Sequence, residues 1–122
     1  MDEKEIISNN EMIALFMGAI HSIYFDGSKG LIFPSGKVIV HGARGCKYHE
    51  SWNELIPVVE KIEIEDYGFK MCRKVVEIYR DSTKEELFRF KESSRRESLY
   101  KAVIEFIEHY NKEKENEVTH VI

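Results

Sequence analysis

Cys46 and His49 stand three residues apart in a glycine-bearing stretch, with His41 a short way upstream. These are the side chains from which a reactive site would most simply be built. A cysteine attacks as its thiolate, which needs a neighbouring base or positive charge. Cys46 with His41 or His49 as base, and with Arg44 and Lys47 lowering the thiol pKa, would make a small hydrolase. The same residues could begin a zinc site. Zinc needs four ligands, or three and water, and no C-x-x-C or H-x-x-x-H partner occurs elsewhere in the chain. No metal and no cofactor is therefore expected. The plainer reading makes Cys46 a solvated loop thiol and sets His49 at the start of a helix.

Charge points to a second chemistry. Lys29, Lys37, Arg44 and Lys47 occur without one acidic residue between Gly27 and His49. Gly42 and Gly45 would let backbone N–H groups approach an anion, and Arg44 could donate a forked pair of hydrogen bonds to phosphate. Lys37, Arg44, Lys47 and His49 are thus the candidate ligand-binding residues, and the loop 29–49 a candidate site for a nucleotide or another small anion. The GARG segment lacks the G-K-[ST] of a phosphate-binding loop. A second basic group, Lys70, Arg73, Lys74 and Arg80, follows an acidic block over residues 50–66. Alternating blocks of charge can also simply pair across a fold as solvated surface. Tyr48 and Trp52 could stack on a base beside the loop, but the position of Trp52 at a helix start, in register with Leu55 and Val59, makes it a core anchor. Tyr24, Tyr79 and Phe88 raise the same question on strands. The carboxylates form no spaced pair suited to acid and base roles.

The chain that must position these groups has 122 residues, 43% of them apolar and a third charged, with a formal net charge of -4. That suits one hydrophobic core, so residues 1–122 are expected to form a single domain with 113–122 as a frayed tail. No apolar run is long enough to span a bilayer and the N-terminus is acidic, which predicts a cytoplasmic protein without membrane contact. Cys46 and Cys72 are expected as reduced thiols, with Cys72 a small core residue beside Phe69 and Met71.

Three S-x-x-E signatures mark helix starts. Ser8 and Glu11 precede a helix over residues 9–17 that Gly18 stops. Ser51 and Glu54 open a second, with Trp52, Leu55, Ile56, Val59 and Ile62 on one face and Pro57 expected to bend or divide it. Ser94 and Glu97 open the third, along which Leu99, Ala102, Val103, Phe106, Ile107 and Tyr110 recur at helical spacing. Between helices, a strand from Ala19 ends at Asp26-Gly27, and residues 31–33 and 37–41 flank Pro34-Ser35-Gly36 as a hairpin. After Tyr67-Gly68 come three apolar segments over residues 69–73, 75–80 and 86–90. No turn residue separates the first two, which suggests one long bent strand. Asp81-Ser82-Thr83-Lys84 joins the last two as a turn.

These elements predict an α+β fold in which an antiparallel sheet of about five short strands is covered by three helices, as a helix-sheet-helix sandwich. The segments SNNEMIALFMG, YHESWNELIPVVEKIE and YKAVIEFIEHYN resemble a group of small phage and prophage proteins, some described as phage helix-sheet-helix sandwich-like domains. The resemblance covers roughly three quarters of the chain through helix faces and caps. It implies a small accessory protein of a mobile element. With no catalytic signature in the chain, the expected function is noncatalytic, by binding a macromolecule, foremost a protein. Edge strands of a small sheet would also allow a homodimer.

Overall fold

The computed structural model describes residues 1–23, 27, 29–39 and 42–120, with 116–120 described by backbone alone. The chain divides into two compact units, Met1–Lys61 and Ile62–Ile122. Among the described residues, no helix is long and apolar enough to cross a membrane.

The first unit opens with helix α1, Glu3–Phe16, which starts well before the predicted residue 9. Asp2 is its cap: the carboxylate accepts from the Glu5 N–H at 2.8 Å, so a start signal one turn and more upstream prevails over Ser8. The buried residues of the helix include Asn10, Ile13 and Ala14. A polar side chain in the inward stripe is what hid its first two turns from an apolar pattern. The C-terminus closes as a Schellman motif, in which the Ala19 N–H donates to the Ala14 carbonyl and the Gly18 N–H to the Leu15 carbonyl, with Gly18 at φ +95°. The Lys61 ammonium donates to the Phe16 carbonyl and lies 4.7 Å from the Phe16 ring centroid, a cation at the negative end of the helix.

Strands β1 (Ile20–Ile23), β2 (Lys29–Ile32) and β3 (Val38–Ile39) follow as an antiparallel sheet in the order β1-β2-β3. Residues 24–26 and 40–41, which include Tyr24 and His41, lie outside the described residues. A 3₁₀ turn at Gly42–Gly45 leads to helix α2, Trp52–Ile64. Ser51 sits at its start, its carbonyl accepting from the Glu54 and Leu55 N–H groups. The helix runs through Pro57 as one element rather than two. Its buried stripe is Leu55, Val58, Val59 and Ile62, while Trp52 and Ile56 stand on the flank, 38% and 41% exposed. The core-anchor reading of Trp52 is therefore corrected. At 100° per residue, positions 52 and 56 lie to one side of the line through 55, 58, 59 and 62.

In the second unit, β4 (Tyr67–Cys72), β5 (Val75–Arg80) and β6 (Glu86–Lys91) form a separate antiparallel sheet, followed by α3, Arg95–His120. The fold is α+β with three helices as expected, but its strands make two three-stranded sheets instead of one five-stranded sheet. The segments over 69–73 and 75–80 are two strands. A two-residue turn at Arg73 and Lys74 reverses the chain, with Arg73 at φ +54°. A left-handed non-glycine residue is disfavoured by roughly 1–2 kcal/mol, so sequence carried no sign of it. The turn is held from outside: Arg95 Nε donates to the Arg73 carbonyl at 2.6 Å, and the Ser98 hydroxyl donates to the Lys74 carbonyl at 2.5 Å. Ser98, fully buried, also accepts from the Glu92 N–H at 2.8 Å.

One face of this sheet meets α3. Tyr67, Phe69 and Met71 alternate inward on β4, Val76 and Ile78 on β5, Phe88 and Phe90 on β6. From the helix come Leu99, Ala102, Val103, Phe106 and Ile107, all fully buried, as their spacing predicts. Tyr67 meets the Phe106 ring edge-on at 4.7 Å, and Phe88 meets His109 edge-on at 5.8 Å. The Ser94 hydroxyl caps the helix by accepting from the Glu97 N–H at 3.1 Å. Ser98→Ala leaves a part-buried N–H and a carbonyl without their partner, so it should destabilise the fold by about 1–2 kcal/mol. Glu108→Ala on the outer face of α3 should change stability by less than about 0.5 kcal/mol; urea unfolding of both variants measures the contrast.

Candidate functional site

The sequence-predicted site lies in the first unit, where the 3₁₀ turn and the residues after it pack on α1. Arg44, Lys47 and His49 line a cleft of about 310 Å³ together with Glu3, Ile6, Ile7, Asn10, Cys46 and Glu50. Lys37 is not among the lining residues; its ammonium is 3.7 Å from the Glu54 carboxylate. Within the cleft, Glu50 lies 3.3 Å from Lys47 and 3.7 Å from His49 Nε2. Lys37 and Lys47 are thus matched by carboxylates of the acidic block that follows them.

The cleft is organised by Asn10. Its amide nitrogen donates to the Cys46 carbonyl at 3.1 Å and reaches His49 Nδ1 at 3.0 Å. A single buried side chain therefore ties α1 to both ends of the segment 46–49.

Both cysteines differ from expectation. Cys46, read as a solvated thiol, is only 6% exposed. Burial, aided by Glu54 and opposed by Lys37, raises its pKa, which is opposite to what a nucleophile requires. Cys72, read as a core residue, is exposed. On β4 the inward set is Tyr67, Phe69 and Met71, and strand alternation turns Cys72 outward with Lys70. Tyr48 is buried as well, and burial with the neighbouring Cys46 and Glu54 raises its phenol pKa. Tyr48 therefore lies inside, while Trp52, read as a core anchor, stands at the surface. Among the described residues, no three His, Cys, Asp or Glu side chains are grouped to hold a metal ion.

A second constellation, only partly visible in sequence, lies on the face of the β4–β6 sheet opposite α3. The register sets Lys70, Glu77 and Arg89 in one cross-strand row and Cys72, Val75 and Lys91 in the next. With Arg73 and Lys74 of the turn they line an open depression of about 750 Å³. Glu77 pairs with Arg89 at 3.4 Å; Lys70, Arg73, Lys74 and Lys91 make no ion pair among the described residues. Arg80, which sequence grouped with this cluster, instead donates to the Tyr67 hydroxyl at 3.3 Å and lies 5.0 Å from that ring. Arg89 and Lys91 were missed, although the strict polar-apolar alternation of Phe88 to Lys91 already placed them on one strand face. Farther along the same face, the Tyr79 ring lies across Gly68, where an added Cβ would come within 2.5 Å of it. Lys84 Nζ stands 5.5 Å from the ring centroid.

Comparison with family models, with curated proteins and with solved structures returns no match.

Two outcomes follow from these geometries. A thiol reagent should modify Cys72 rapidly and Cys46 slowly in the native protein, and Asn10→Ala should speed Cys46 labelling at least several-fold by releasing residues 46–49; mass spectrometry of the labelled peptides reads both rates. Gly68→Ala should destabilise by about 1–2 kcal/mol by forcing the Tyr79 ring aside, and most of that loss should vanish in a Tyr79→Ala background, as a double-mutant cycle in urea would show.

Proposed function

We propose that this protein is a noncatalytic accessory protein of a phage or prophage that works in the cytoplasm of the host by binding a macromolecule, foremost a protein. The phage origin rests on the resemblance of its three helical segments to phage and prophage proteins. The observation that supports a protein partner is an apolar row on the open face of the first sheet. Ile20 pairs with Ile32, and Ile32 with Val38, so the three side chains adjoin across the strands. Ile20 is 63% and Val38 49% exposed.

An exposed cross-strand row of branched residues is unfavourable in water and becomes favourable when covered, at roughly 25 cal/mol per Å² of apolar surface buried. β1 is also an edge strand, so its outer backbone groups can accept a strand from a partner or from a second copy. The burial of Cys46 and its raised pKa weigh against a cysteine hydrolase, and the carboxylates matched to Lys37 and Lys47 weigh against anion capture by the loop 29–49.

The test replaces Ile20 and Val38 together by lysine. Wild-type protein should form a stoichiometric protein complex, as a homodimer or with a partner retained from host cells, and the double variant should lose it while its stability stays within about 0.5 kcal/mol. Light scattering and native mass spectrometry read the assembly. A complex indifferent to both substitutions, or a wild-type chain carrying only a discrete small ligand, would contradict the reading.

A further inference from the structure

We propose that the open face of the β4–β6 sheet binds a single strand of nucleic acid through its phosphate backbone. The surface is distinct from the apolar row of the first unit, and the inference stands independently of that row.

Charge distribution is the first argument. The chain as a whole has a formal net charge of -4, yet the depression at the hairpin end of this face sets five cations, Lys70, Arg73, Lys74, Arg89 and Lys91, against the carboxylate of Glu77; a second carboxylate, Glu86, lies farther along the face opposite Tyr79. Four of the five make no ion pair among the described residues, whereas Lys37 and Lys47 in the first unit are matched by glutamates. Like charges this close on one face repel even through bulk water. The fold sustains this concentration on a protein that is otherwise acidic.

Spacing argues for a chain rather than a lone anion. Arg89 and Lys91 project from the same side of β6, about 7 Å apart along the strand, and Lys70 lies two strand spacings from Arg89, about 10 Å across the sheet. Arg73 and Lys74 extend the charge past the hairpin end. The middle of the row is occupied by the Glu77 carboxylate at 3.4 Å from Arg89, so an isolated phosphate centred there would meet a negative charge. A strand carrying a phosphate at every nucleotide can engage the flanking cations in succession and pass beside Glu77.

Shape favours a single strand. The depression is open and shallow, floored by the half-buried Val75 and the exposed Cys72, and built on a three-stranded sheet rather than on a helix or ribbon that would enter a duplex groove. Tyr79 continues the same face beyond Glu77, with its ring laid across Gly68 and Lys84 Nζ 5.5 Å from the ring centroid. A positive groove that tracks the backbone is a general means by which proteins hold single strands without reading sequence.

The cations are positioned by the fold and not by chance flexibility. Arg73 and Lys74 are carried on the turn whose two carbonyls are gripped by Arg95 and Ser98. Lys70 and Arg89 are brought into one row by the strand register.

The experiment is fluorescence anisotropy of a labelled oligothymidylate with the full chain, titrated over salt concentration. Binding should weaken linearly in log–log form with a slope near -3, as about four phosphate contacts at about 0.7 each imply. Lys91→Ala should reduce the slope by about 0.7, and Lys70→Ala with Lys91→Ala should weaken binding about ten-fold, while Arg44→Ala with Lys47→Ala in the first unit leaves it unchanged. All substituted side chains are exposed, and thermal unfolding of each variant confirms the fold. Absence of binding at low salt, or a slope unmoved by Lys91→Ala, overturns the proposal. Equal competition by polyglutamate would assign the face to an acidic protein, and tighter binding of a duplex of the same length would assign it to duplex; either result overturns the single-strand assignment.

Discussion

The second unit depends on a few bonds from the first turn of α3 to the turn between β4 and β5. Arg73 takes a left-handed backbone conformation that a non-glycine residue adopts only under external constraint. Arg95 and Ser98 supply the constraint by donating to two consecutive carbonyls, and Ser98 at the same time receives the N–H of Glu92 as β6 ends. The start of α3 therefore fastens both hairpin and third strand. Lys101, one turn further along, pairs with Glu92 and reinforces the same junction. With the turn held to two residues, the register follows, and the register decides which side chains share a face.

The first unit uses the same device with a different side chain. Asn10 is a polar residue inside the apolar stripe of α1, and it holds residues 46–49 by bonding at both Cys46 and His49. A buried amide is tolerated only when its hydrogen bonds are made, so helix and loop specify each other. Lys61 performs a related task at the far end of α1, where its ammonium meets the Phe16 carbonyl. In both units, an irregular segment is ordered by polar side chains projecting from a helix.

Charge is handled differently in the two halves. Residues 29–49 carry Lys29, Lys37, Arg44 and Lys47 and no acidic residue, but the acidic segment that follows supplies Glu50 and Glu54 as partners for Lys47 and Lys37. In the second sheet, alternation sends the aromatic and branched residues toward α3 and leaves the cations on the other side. Among the described residues of the unit, no helix covers that side. Ion pairs between exposed side chains contribute little to stability, so the contrast bears on recognition more than on folding.

The helices were legible in the sequence because local chemistry suffices for them: the Ser94 cap, the Gly18 stop and the 99–110 stripe act within a turn or two of the chain. Strand alternation was legible for the same reason along the first strand, but which face of a strand turns inward was not. What could not be read was every feature whose cause lies far along the chain. The left-handed turn at Arg73 has no glycine to announce it, because its constraint comes from Arg95 and Ser98. The early start of α1 was masked by Asn10, whose partners are Cys46 and His49. The exposure of Cys72 and of Trp52, both read as core residues, followed from strand phase and helix flank, which fix burial only once the packed face is known. The sequence by itself determined an α+β chain with three amphipathic helices, since periodicity and caps are short-range. Tertiary structure alone decided the division of the strands into two sheets and the gathering of Lys70, Arg89 and Lys91 on one open face, because both depend on hydrogen bonds between segments distant in sequence.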